Sequence, residues 1–477
     1  MMNRLSQVYA SVNPATGQLV KSFAKTPTNE IPRIISNAQT ALLELKKLSV
    51  DRRAERLLSV SALLKERAAK YGQLASIEMG KPIKQGVAEV EKCAFVCEWM
   101  AKNGPPYLAP ESVASDASRS YISIQPLGIV LGIFPWNFPF WQVARFASSA
   151  FLAGNVCIMK HAPSTPQCAL ALEEVFRDAG FPQHTLQNVF ADTETDVPLI
   201  LSDRSVRAVT LTGSCKAGAS VGKLAGERIK KCVLELGGAD PYLVLRDADV
   251  DLAVSQCLAG RILNTGQSCI AAKRWIVDAS IVEEFTQKVT AAMEKLKVGD
   301  PMDPKTDVGP MAREDLRDGI HDQVTRSVQA GAKVLLGGQL PVKFAPELVD
   351  ATKAKSFASG FWYPPTLLTN VRPGMAAFDE ELFGPVACII VAQNETEAVQ
   401  LANRSPFGLG AAVFTRDVER GERIVRDEIE SGMGFVNGFV KSDPRLPFGG
   451  VKDSGFGTEC SHIAVREFTV PKTVWIR

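Results

Sequence analysis

Between residues 129 and 236 the chain alternates short apolar runs with stretches of helical periodicity, and this pattern constrains the fold more than any other feature. The apolar runs have the length of strands, and they include IVLGIFP, VCIMK, VTLTG and CVLEL. Such alternation predicts a parallel sheet with helices on both faces. A second series starts at residues 242–245 and continues to about residue 440, so the sequence predicts a second α/β domain.

Segments outside the two series are predicted as helices and edge strands. Apolar residues recur at helical spacing in the first 72 residues, which predicts amphipathic helices with no active-site chemistry of their own. Residues 118–125 (SRSYISIQ) are predicted as a strand, which Pro126 restricts to a sheet edge or a strand end. The C-terminal residues 468–477 are predicted as a further edge strand.

The charge balance excludes several classes of function. Lys and Arg number 54 against 52 Asp and Glu, a formal net charge of +2, and no long basic run is present. This composition gives no footprint for binding nucleic acid or an anionic membrane. No apolar stretch is long enough to span a bilayer, and the ten cysteines are scattered, which is typical of a reducing compartment. We therefore expect a cytoplasmic protein that acts on small molecules.

Cys269, in the motif GQSC, is the candidate nucleophile. It follows a helical stretch and lies beside Gly266, whose lack of a Cβ is expected to let a substrate approach closely. A free cysteine taken alone is more often a small buried residue than a nucleophile. The assignment therefore depends on three further features of the sequence.

Glu235 and Asn137 are candidates for the general base and the oxyanion donor. Glu235, in ELGG, is expected at the carboxyl edge of a sheet, where a carboxylate can activate a thiol or a water molecule. Asn137, in PWNFP, stands between two prolines that fix the backbone and aim its amide at one point. Together with the backbone N–H of Cys269, such an amide can stabilise an oxyanion. The alternatives are a surface Glu at a strand end and an Asn that satisfies a turn.

Gly213 and Ser214 supply the third feature. They follow the predicted strand VTLTG and precede a helix, so backbone N–H groups and a hydroxyl lie at a helix N-terminus suited to a phosphate. The chain has no G-x-G-x-x-G, the usual dinucleotide fingerprint. Lys160, at the end of VCIMK, is a candidate for binding ribose hydroxyls or an adenosine phosphate, or alternatively a solvated lysine at a strand end.

Six motifs occur in the order and approximate spacing of the aldehyde dehydrogenase superfamily, which the chain resembles over nearly its whole length: PWNFP, TGSCKAG, ELGG, GQSC, EELFGP and PFGGVKDSGFG. Within that family it is most similar to the bacterial-type succinate-semialdehyde dehydrogenases. The resemblance implies an α/β fold and a homodimer or homotetramer. The implied parts are a Rossmann-like NAD(P)-binding domain (1–109 and 127–235), a second α/β catalytic domain (236–440), and a small β oligomerisation or bridging element (110–126 and 441–477).

The resemblance implies the same catalytic residues as the side-chain chemistry, namely Cys269, Glu235 and Asn137. In the implied cycle Cys269 adds to the aldehyde, the nicotinamide takes a hydride, and water activated by Glu235 hydrolyses the thioester. Glu459 matches a position sometimes assigned to proton relay. The four histidines show no ligand spacing, so no metal is expected. The residues implied to contact the cofactor are Trp136, Lys160, Ala162, Pro163, Gly213, Ser214, Leu236, Glu381 and Phe383.

Arg145 indicates a small aldehyde with a carboxylate at its far end. It is the only formal charge between Arg119 and Lys160, and it lies about two helical turns beyond Asn137. The resemblance assigns the substrate carboxylate to Arg145 and Ser442, and so predicts oxidation of succinate semialdehyde to succinate. The alternative for Arg145 is a structural salt bridge to an Asp or Glu.

The cofactor and the aldehyde have alternatives that the sequence leaves open. After Lys160 no glutamate is placed to repel a 2′-phosphate, and Pro163 has no hydroxyl to receive one, so the sequence favours NAD over NADP. Glutarate semialdehyde or another small aldehyde is an alternative substrate. A CoA-acylating dehydrogenase has no need of Glu235 as a base, and a cysteine hydrolase lacks a histidine placed by motif near Cys269. The last alternative is a non-catalytic binding or structural protein.

Overall fold

The computed structural model describes residues 9–340 and 358–477. The predicted domain ranges also include residues 1–8 and 341–357, and those parts of the prediction lie outside the described residues. The chain begins with a hairpin, four helices and two strands: β1 (Tyr9–Asn13), β2 (Gln18–Phe23), α1 (Ile31–Lys47), α2 (Val50–Glu66), α3 (Ala68–Met79), α4 (Ile83–Asn103), β3 (Glu111–Ser112) and β4 (Arg119–Pro126). The predicted apolar stripe of α1 is buried, and α4 packs against α2, α3 and α5 (Trp141–Ala153).

The first predicted series forms a parallel sheet. The elements that follow β4 are β5 (Ile129–Ile133), α5, β6 (Val156–Lys160), α6 (Pro166–Asp178), β7 (Leu186–Asn188), α7 (Asp196–Ser202), β8 (Val206–Thr212), α8 (Cys215–Glu227) and β9 (Lys231–Glu235). Five strands run parallel in the order β7, β6, β5, β8, β9. The strand order reverses between β5 and β8, and a crevice at such a switch point is where open α/β sheets bind ligands.

The second series forms a seven-stranded sheet. Its elements are β10 (Asp240–Val244), α9 (Val250–Ile262), β11 (Ala272–Asp278), α10 (Val282–Met293), α11 (Glu314–Gln329), β12 (Lys333–Leu336), β13 (Thr366–Thr369), α12 (Ala376–Asp379), β14 (Val386–Ala392), α13 (Glu395–Asn403), β15 (Phe407–Gly408), β16 (Gly410–Phe414), α14 (Val418–Arg423) and β17 (Met433–Val436). The order is β12, β13, β14, β11, β10, β16, β17, with only β12 antiparallel to its neighbour. Every residue of β10 and β11 is buried. The two sheets confirm the predicted α/β fold.

The predicted edge strands pair with each other. The last strands of the chain are β18 (Val451–Lys452), β19 (Gly455–Phe456) and β20 (Thr469–Ile476). Strand β4 lies between β3 and β20 in a three-stranded antiparallel sheet, and Pro126 is at its end as expected. Of the range 441–477 assigned to the oligomerisation element, only β20 joins this sheet. Strand β19 instead pairs with β9 of the first sheet, and β18 pairs with β15 of the second series. Residues 451–456 therefore contact both α/β units.

Short helical turns complete the described chain, at Thr28–Glu30, Pro105–Leu108, Leu263–Gly266, Ile424–Glu428 and Ile463–Arg466. Across the two described ranges, no helix combines the length and the apolar character needed to cross a bilayer.

Candidate active site

Two cavities meet at Cys269. The first, of about 260 Å³, is lined by α4, α5 and the stretch around Ser442, and we refer to it as the α4 cavity. The second, of about 390 Å³, lies at the carboxyl ends of β5, β8 and β9 and is referred to as the switch-point cavity. Of the described residues, only Gln142 and Cys269 line both cavities. A nucleophile at this junction can reach molecules bound on either side.

A tight turn brings Cys269 to the junction. After α9 the backbone is left-handed at Asn264 (φ 57°), Thr265 (φ 56°) and Gly266 (φ 72°), and β11 begins three residues beyond Cys269. A Cβ on Gly266 would collide with the carbonyl oxygen of Gly384, in the EELFGP motif. The glycine therefore serves a close backbone contact, whereas we expected it to give room to a substrate.

Two buried cations hold this turn in place, and the sequence analysis missed both. The guanidinium of Arg261 donates to the carbonyls of Gly266, Leu382 and Gly384. The ammonium of Lys273 donates to the carbonyls of Ser268 (2.9 Å) and Cys269 (2.7 Å). A basic residue in the mostly apolar stretch 270–277 (IAAKRWIV) was the one signal for Lys273, since a buried charge needs partners.

The thiol of Cys269 is half-buried and neutral near pH 7. Burial raises its pKa to about 12, although the positive charges of Lys273 and Arg145 act in the opposite direction. A thiolate is the reactive form of cysteine, so the thiol needs a proton acceptor before it can attack.

Asn137 lies beside the nucleophile turn with its side chain fixed. Its amide nitrogen donates to the carbonyl of Gln267 (3.1 Å), its amide oxygen accepts from Gln142 (3.0 Å), and its backbone carbonyl accepts from Asn264 (2.8 Å). Because an Asn amide has two N–H donors, one remains for another acceptor. Asn137 therefore keeps one N–H donor beside the nucleophile turn, in the wall of the switch-point cavity that Cys269 also lines.

A buried ion pair fixes the loop that carries Asn137. Glu89 of α4 accepts from the backbone N–H groups of Phe140 (2.9 Å) and Trp141 (3.0 Å), and it pairs with Lys81. His161 bonds to the carbonyl of Pro139 (3.0 Å), and burial lowers the pKa of this imidazole to about 4. The histidine is therefore neutral and structural.

Glu235 is the last residue of β9 and is almost fully buried. Neither carboxylate oxygen accepts a hydrogen bond from any described residue, and the carboxyl lines neither cavity. Burial raises the pKa of Glu235 well above its ordinary value, Arg145 lowers it, and the carboxyl of Glu459 raises it further. Glu235 therefore binds a proton more tightly than an exposed carboxylate does.

Arg145 forms an ion pair with Glu459, and both residues are buried. This is the salt bridge that we gave as the alternative to substrate binding. Arg145 also stacks on Phe448 (4.3 Å to the ring centroid) and still lines the α4 cavity. Its charge is thus largely balanced within the protein.

Six of the nine predicted cofactor residues line the switch-point cavity: Trp136, Gly213, Ser214, Leu236, Glu381 and Phe383. Lys160, Ala162 and Pro163 do not line it, although Ala162 packs in one apolar cluster with Trp136. Lys160 ends β6 and is buried, and burial lowers its pKa to about 8.

The switch-point cavity fits a dinucleotide. Gly213 borders it at the N-terminus of α8, where a Cβ would fill space left open to a ligand, its nearest neighbour being Leu211 at 3.5 Å. The Ser214 hydroxyl caps α8 by accepting from Ala217 (3.3 Å), and the Gly213 N–H donates to the carbonyl of Glu235 (3.0 Å). These two predicted phosphate donors are therefore partly used within the protein, while the helix N-terminus remains available.

The two glycines of ELGG allow three segments to meet. A Cβ on Gly237 would lie 2.6 Å from a carboxylate oxygen of Glu381, and a Cβ on Gly238 would lie 2.5 Å from the carbonyl of Cys269. Glu381 in turn accepts from Lys273 (3.1 Å) and the Gly238 N–H (3.1 Å). Lys273 thereby holds both the Glu381 carboxylate and the turn that carries Cys269.

Ser442 lines the α4 cavity as predicted for a substrate-binding residue, and it is buried. It accepts a hydrogen bond from Lys92 of α4 (2.6 Å), a residue that the sequence analysis did not select. We expected no active-site chemistry in the N-terminal helices, and no local pattern distinguishes Lys92 from the other lysines of α4.

Across the described residues, no group of three or more His, Cys, Asp or Glu side chains is placed to hold a metal ion.

Comparison with known proteins agrees with this geometry. The model of the aldehyde dehydrogenase family matches residues 2–474. A probable succinate-semialdehyde dehydrogenase [NADP(+)] of Synechocystis sp. is 46% identical over 98% of this chain and 99% of its own length. The succinate semialdehyde dehydrogenase [NAD(P)+] of Escherichia coli is 44% identical over 98% and 97%. The crystal structure of a succinic semialdehyde dehydrogenase from Streptococcus pyogenes with NADP+ has a TM-score of 0.91 at 30% identity, covering 98% of this chain and 99% of that one.

Proposed function

The chain belongs to the aldehyde dehydrogenase family, and on this premise we propose that it oxidises succinate semialdehyde to succinate with NAD(P). The observation that carries the proposal is the position of Cys269 between two cavities. One cavity fits a dinucleotide, and the other is small and bordered by cations. The names of the relatives and of the Streptococcus pyogenes structure support the same substrate.

We propose that Glu235 takes the proton of the Cys269 thiol, whose sulfur then adds to the aldehyde carbon. The free N–H of Asn137 and the backbone N–H of Cys269 then donate to the oxyanion. Residues that line the switch-point cavity, among them Trp136, Ser214 and Glu381, would hold a dinucleotide, which would supply the hydride acceptor for oxidation to a thioester. Glu235 takes a proton from the water that hydrolyses the thioester, which releases the acid and restores Cys269. Its raised pKa makes Glu235 a stronger base than an exposed carboxylate.

Glu459 and Arg145 form the environment of that base in the proposed enzyme. Arg145 pairs with Glu459 and also lowers the pKa of Glu235, while the carboxyl of Glu459 raises it. The proton affinity of Glu235 therefore depends on whether Glu459 carries a proton. We propose Glu459 as the relay that passes the proton of Glu235 onwards. Substrate binding by Arg145 and Ser442 remains a prediction.

For the cofactor, we propose that the enzyme accepts both dinucleotides. The preference for NAD predicted from Pro163 remains a prediction, while the relatives are named for NADP(+) or NAD(P)+. Lys160 has no carboxylate within ion-pair distance among the described residues, so its charge is available to a 2′-phosphate. Lys160→Ala is expected to lower kcat/KM with NADP about tenfold and to change NAD much less, since the loss is of one charge-assisted hydrogen bond.

A substrate panel with both cofactors tests the proposal. We expect the highest kcat/KM with succinate semialdehyde, a lower value with glutarate semialdehyde, and the lowest with butanal. Addition of CoA is expected to leave the product as free succinate. Formation of an acyl-CoA would reassign the chain to thioester transfer, and absence of dinucleotide reduction with every aldehyde would favour a hydrolase or a non-catalytic protein. The homodimer or homotetramer and the cytoplasmic location remain predictions, and sedimentation analysis measures the first.

A further inference from the structure

Lys92 is a half-buried cation in the wall of the α4 cavity. Its ammonium donates to the hydroxyl oxygen of Ser442 (2.6 Å) and lies 4.3 Å from the centroid of the Trp141 ring. The two contacts fix the end of a side chain that is flexible in water. Cys269 lines the same cavity, so a molecule held by Lys92 shares that space with the nucleophile.

The charge of Lys92 is unbalanced, in contrast to that of Arg145. Among the described residues, no carboxylate lies within 4.0 Å of the Lys92 ammonium, whereas Arg145 is paired with Glu459. The one carboxylate in the cavity wall, Glu89, is already paired with Lys81. A partly buried ammonium with N–H donors to spare and no paired anion can bind one, because an opposite charge compensates its desolvation more than neutral partners do.

We propose that Lys92, with the Ser442 hydroxyl, binds the carboxylate at the far end of the substrate. The inference rests on the proposed function and assigns to Lys92 the role that the sequence analysis gave to Arg145. An ammonium has three N–H donors, of which Ser442 accepts one. The Ser442 hydroxyl keeps its own hydrogen free to donate to a carboxylate oxygen. Arg145 then acts as a positioning residue, which holds Glu459 and adjusts the proton affinity of Glu235.

Lys92 also makes substrate binding sensitive to pH. Burial lowers the pKa of its ammonium to about 8, so the charge is lost as the pH rises through that value. Arg145 on α5 lowers the pKa as well, whereas Cys460, Cys93 and Asp443 raise it. The KM for an anionic aldehyde is therefore expected to rise above about pH 8, and the KM for an uncharged aldehyde is not.

Lys92→Met tests the proposal by comparing succinate semialdehyde with butanal, an uncharged aldehyde of the same length. Loss of a charge-assisted contact is expected to raise the KM for succinate semialdehyde roughly 10- to 100-fold, with kcat little changed and butanal unaffected. Lys92→Arg keeps the charge and is expected to retain the preference for the semialdehyde. It is also expected to remove the rise in KM above pH 8, because guanidinium does not lose its proton there.

The matched control is Lys70→Met, an exposed lysine of α3 whose ammonium likewise lies over a ring, that of Tyr71 (5.6 Å). This variant should keep the kinetics of the wild type. If Lys92→Met preserves the preference or impairs both aldehydes equally, Lys92 has no part in binding the carboxylate, while the proposed function stands. If the wild type itself shows no preference over butanal, the proposed function and the role of Lys92 both fall. If Lys92→Met does not fold, a wild-type KM for the semialdehyde that is flat across pH 8 overturns the assignment instead.

Discussion

The α4 cavity and the switch-point cavity meet at Cys269 but are built in different ways. In the α4 cavity the distinguishing groups are side chains on helices, above all Lys92 on α4 and Trp141 on α5. In the switch-point cavity the distinguishing contacts involve the backbone, since Gly237 and Gly238 allow Glu381 and the nucleophile turn to approach. Substitutions in the first cavity are therefore expected to change which aldehyde is accepted. Substitutions in the second should disturb the common machinery.

Cys269→Ala gives the largest expected effect because both cavities contribute to the same nucleophile. We expect kcat to fall at least about 10⁴-fold with charged and uncharged aldehydes alike, since the covalent intermediate is lost. Dinucleotide binding, measured by fluorescence titration, should change little. Activity that survives with butanal alone would mean that a different nucleophile acts in the α4 cavity. Cys269 would then not be the nucleophile that both cavities share.

Arg145→Met tests the difference between Arg145, which is paired with Glu459, and Lys92, which is not paired with a carboxylate. Removal of one partner of a buried pair leaves Glu459 uncompensated, which is expected to cost about 3–5 kcal/mol of unfolding free energy. Burial already raises the pKa of Glu459. A carboxyl whose folded pKa is raised stabilises the protein less as the pH rises above its unfolded value, so the loss should be greater at pH 8 than at pH 5.

The double variant Arg145→Met/Glu459→Gln should recover much of that stability in denaturant titrations. Arg177→Met, at an exposed ion pair with Asp178, is the control and should cost about 1 kcal/mol or less. An Arg145→Met protein with wild-type stability and a raised KM for succinate semialdehyde alone would return the substrate carboxylate to Arg145.

Asn137→Ala tests whether the chemistry is common to both kinds of aldehyde. Loss of one oxyanion donor is expected to lower kcat about 100- to 1,000-fold, by the same factor for succinate semialdehyde and butanal. KM values should change far less, and thermal melting should show that the loop remains folded. Unequal factors for the two aldehydes would show that Asn137 takes part in substrate selection.

Local patterns in the sequence predicted the two α/β series, and the motifs selected Cys269 and Asn137, which both line the switch-point cavity. Strand and helix periodicities depend on neighbouring residues, and the predicted strands VCIMK and VTLTG are present as β6 and β8. The contact between Lys92 and Ser442 joins residues 350 positions apart. Periodicity carries no information on such a pair, which depends on how α4 packs against α5 and on how residues 441–450 return to the cavity.

The ion pair of Arg145 with Glu459 has the same long-range origin. A charge inside an apolar helix predicts that an anion lies nearby, but it does not say whether that anion belongs to the protein or to a ligand. The role of Gly266, which we expected to give room to a substrate, was wrong for a similar reason. A glycine indicates close approach, and only the fold shows that Gly384, in place of a substrate, is the neighbour.

Gly237→Ala gives the smallest expected effect and tests the switch-point cavity alone. The new Cβ would lie 2.6 Å from a carboxylate oxygen of Glu381, whose side chain has to move away from Lys273 and the Gly238 N–H. Since Glu381 borders the cavity, we expect the KM for the dinucleotide to rise about tenfold, the value of one charge-assisted hydrogen bond. The KM for succinate semialdehyde, measured at saturating dinucleotide, should stay constant.

Gly226→Ala is the matched control for this substitution, because a Cβ there meets nothing within 4 Å and α8 gains a better helix former. It should leave both KM values unchanged. A Gly237→Ala protein in which the two KM values rise together would mean that displacement of Glu381 also moves the Cys269 turn through Lys273. The cavities would then be coupled through that lysine, and the separation between a selective side and a common side would not hold.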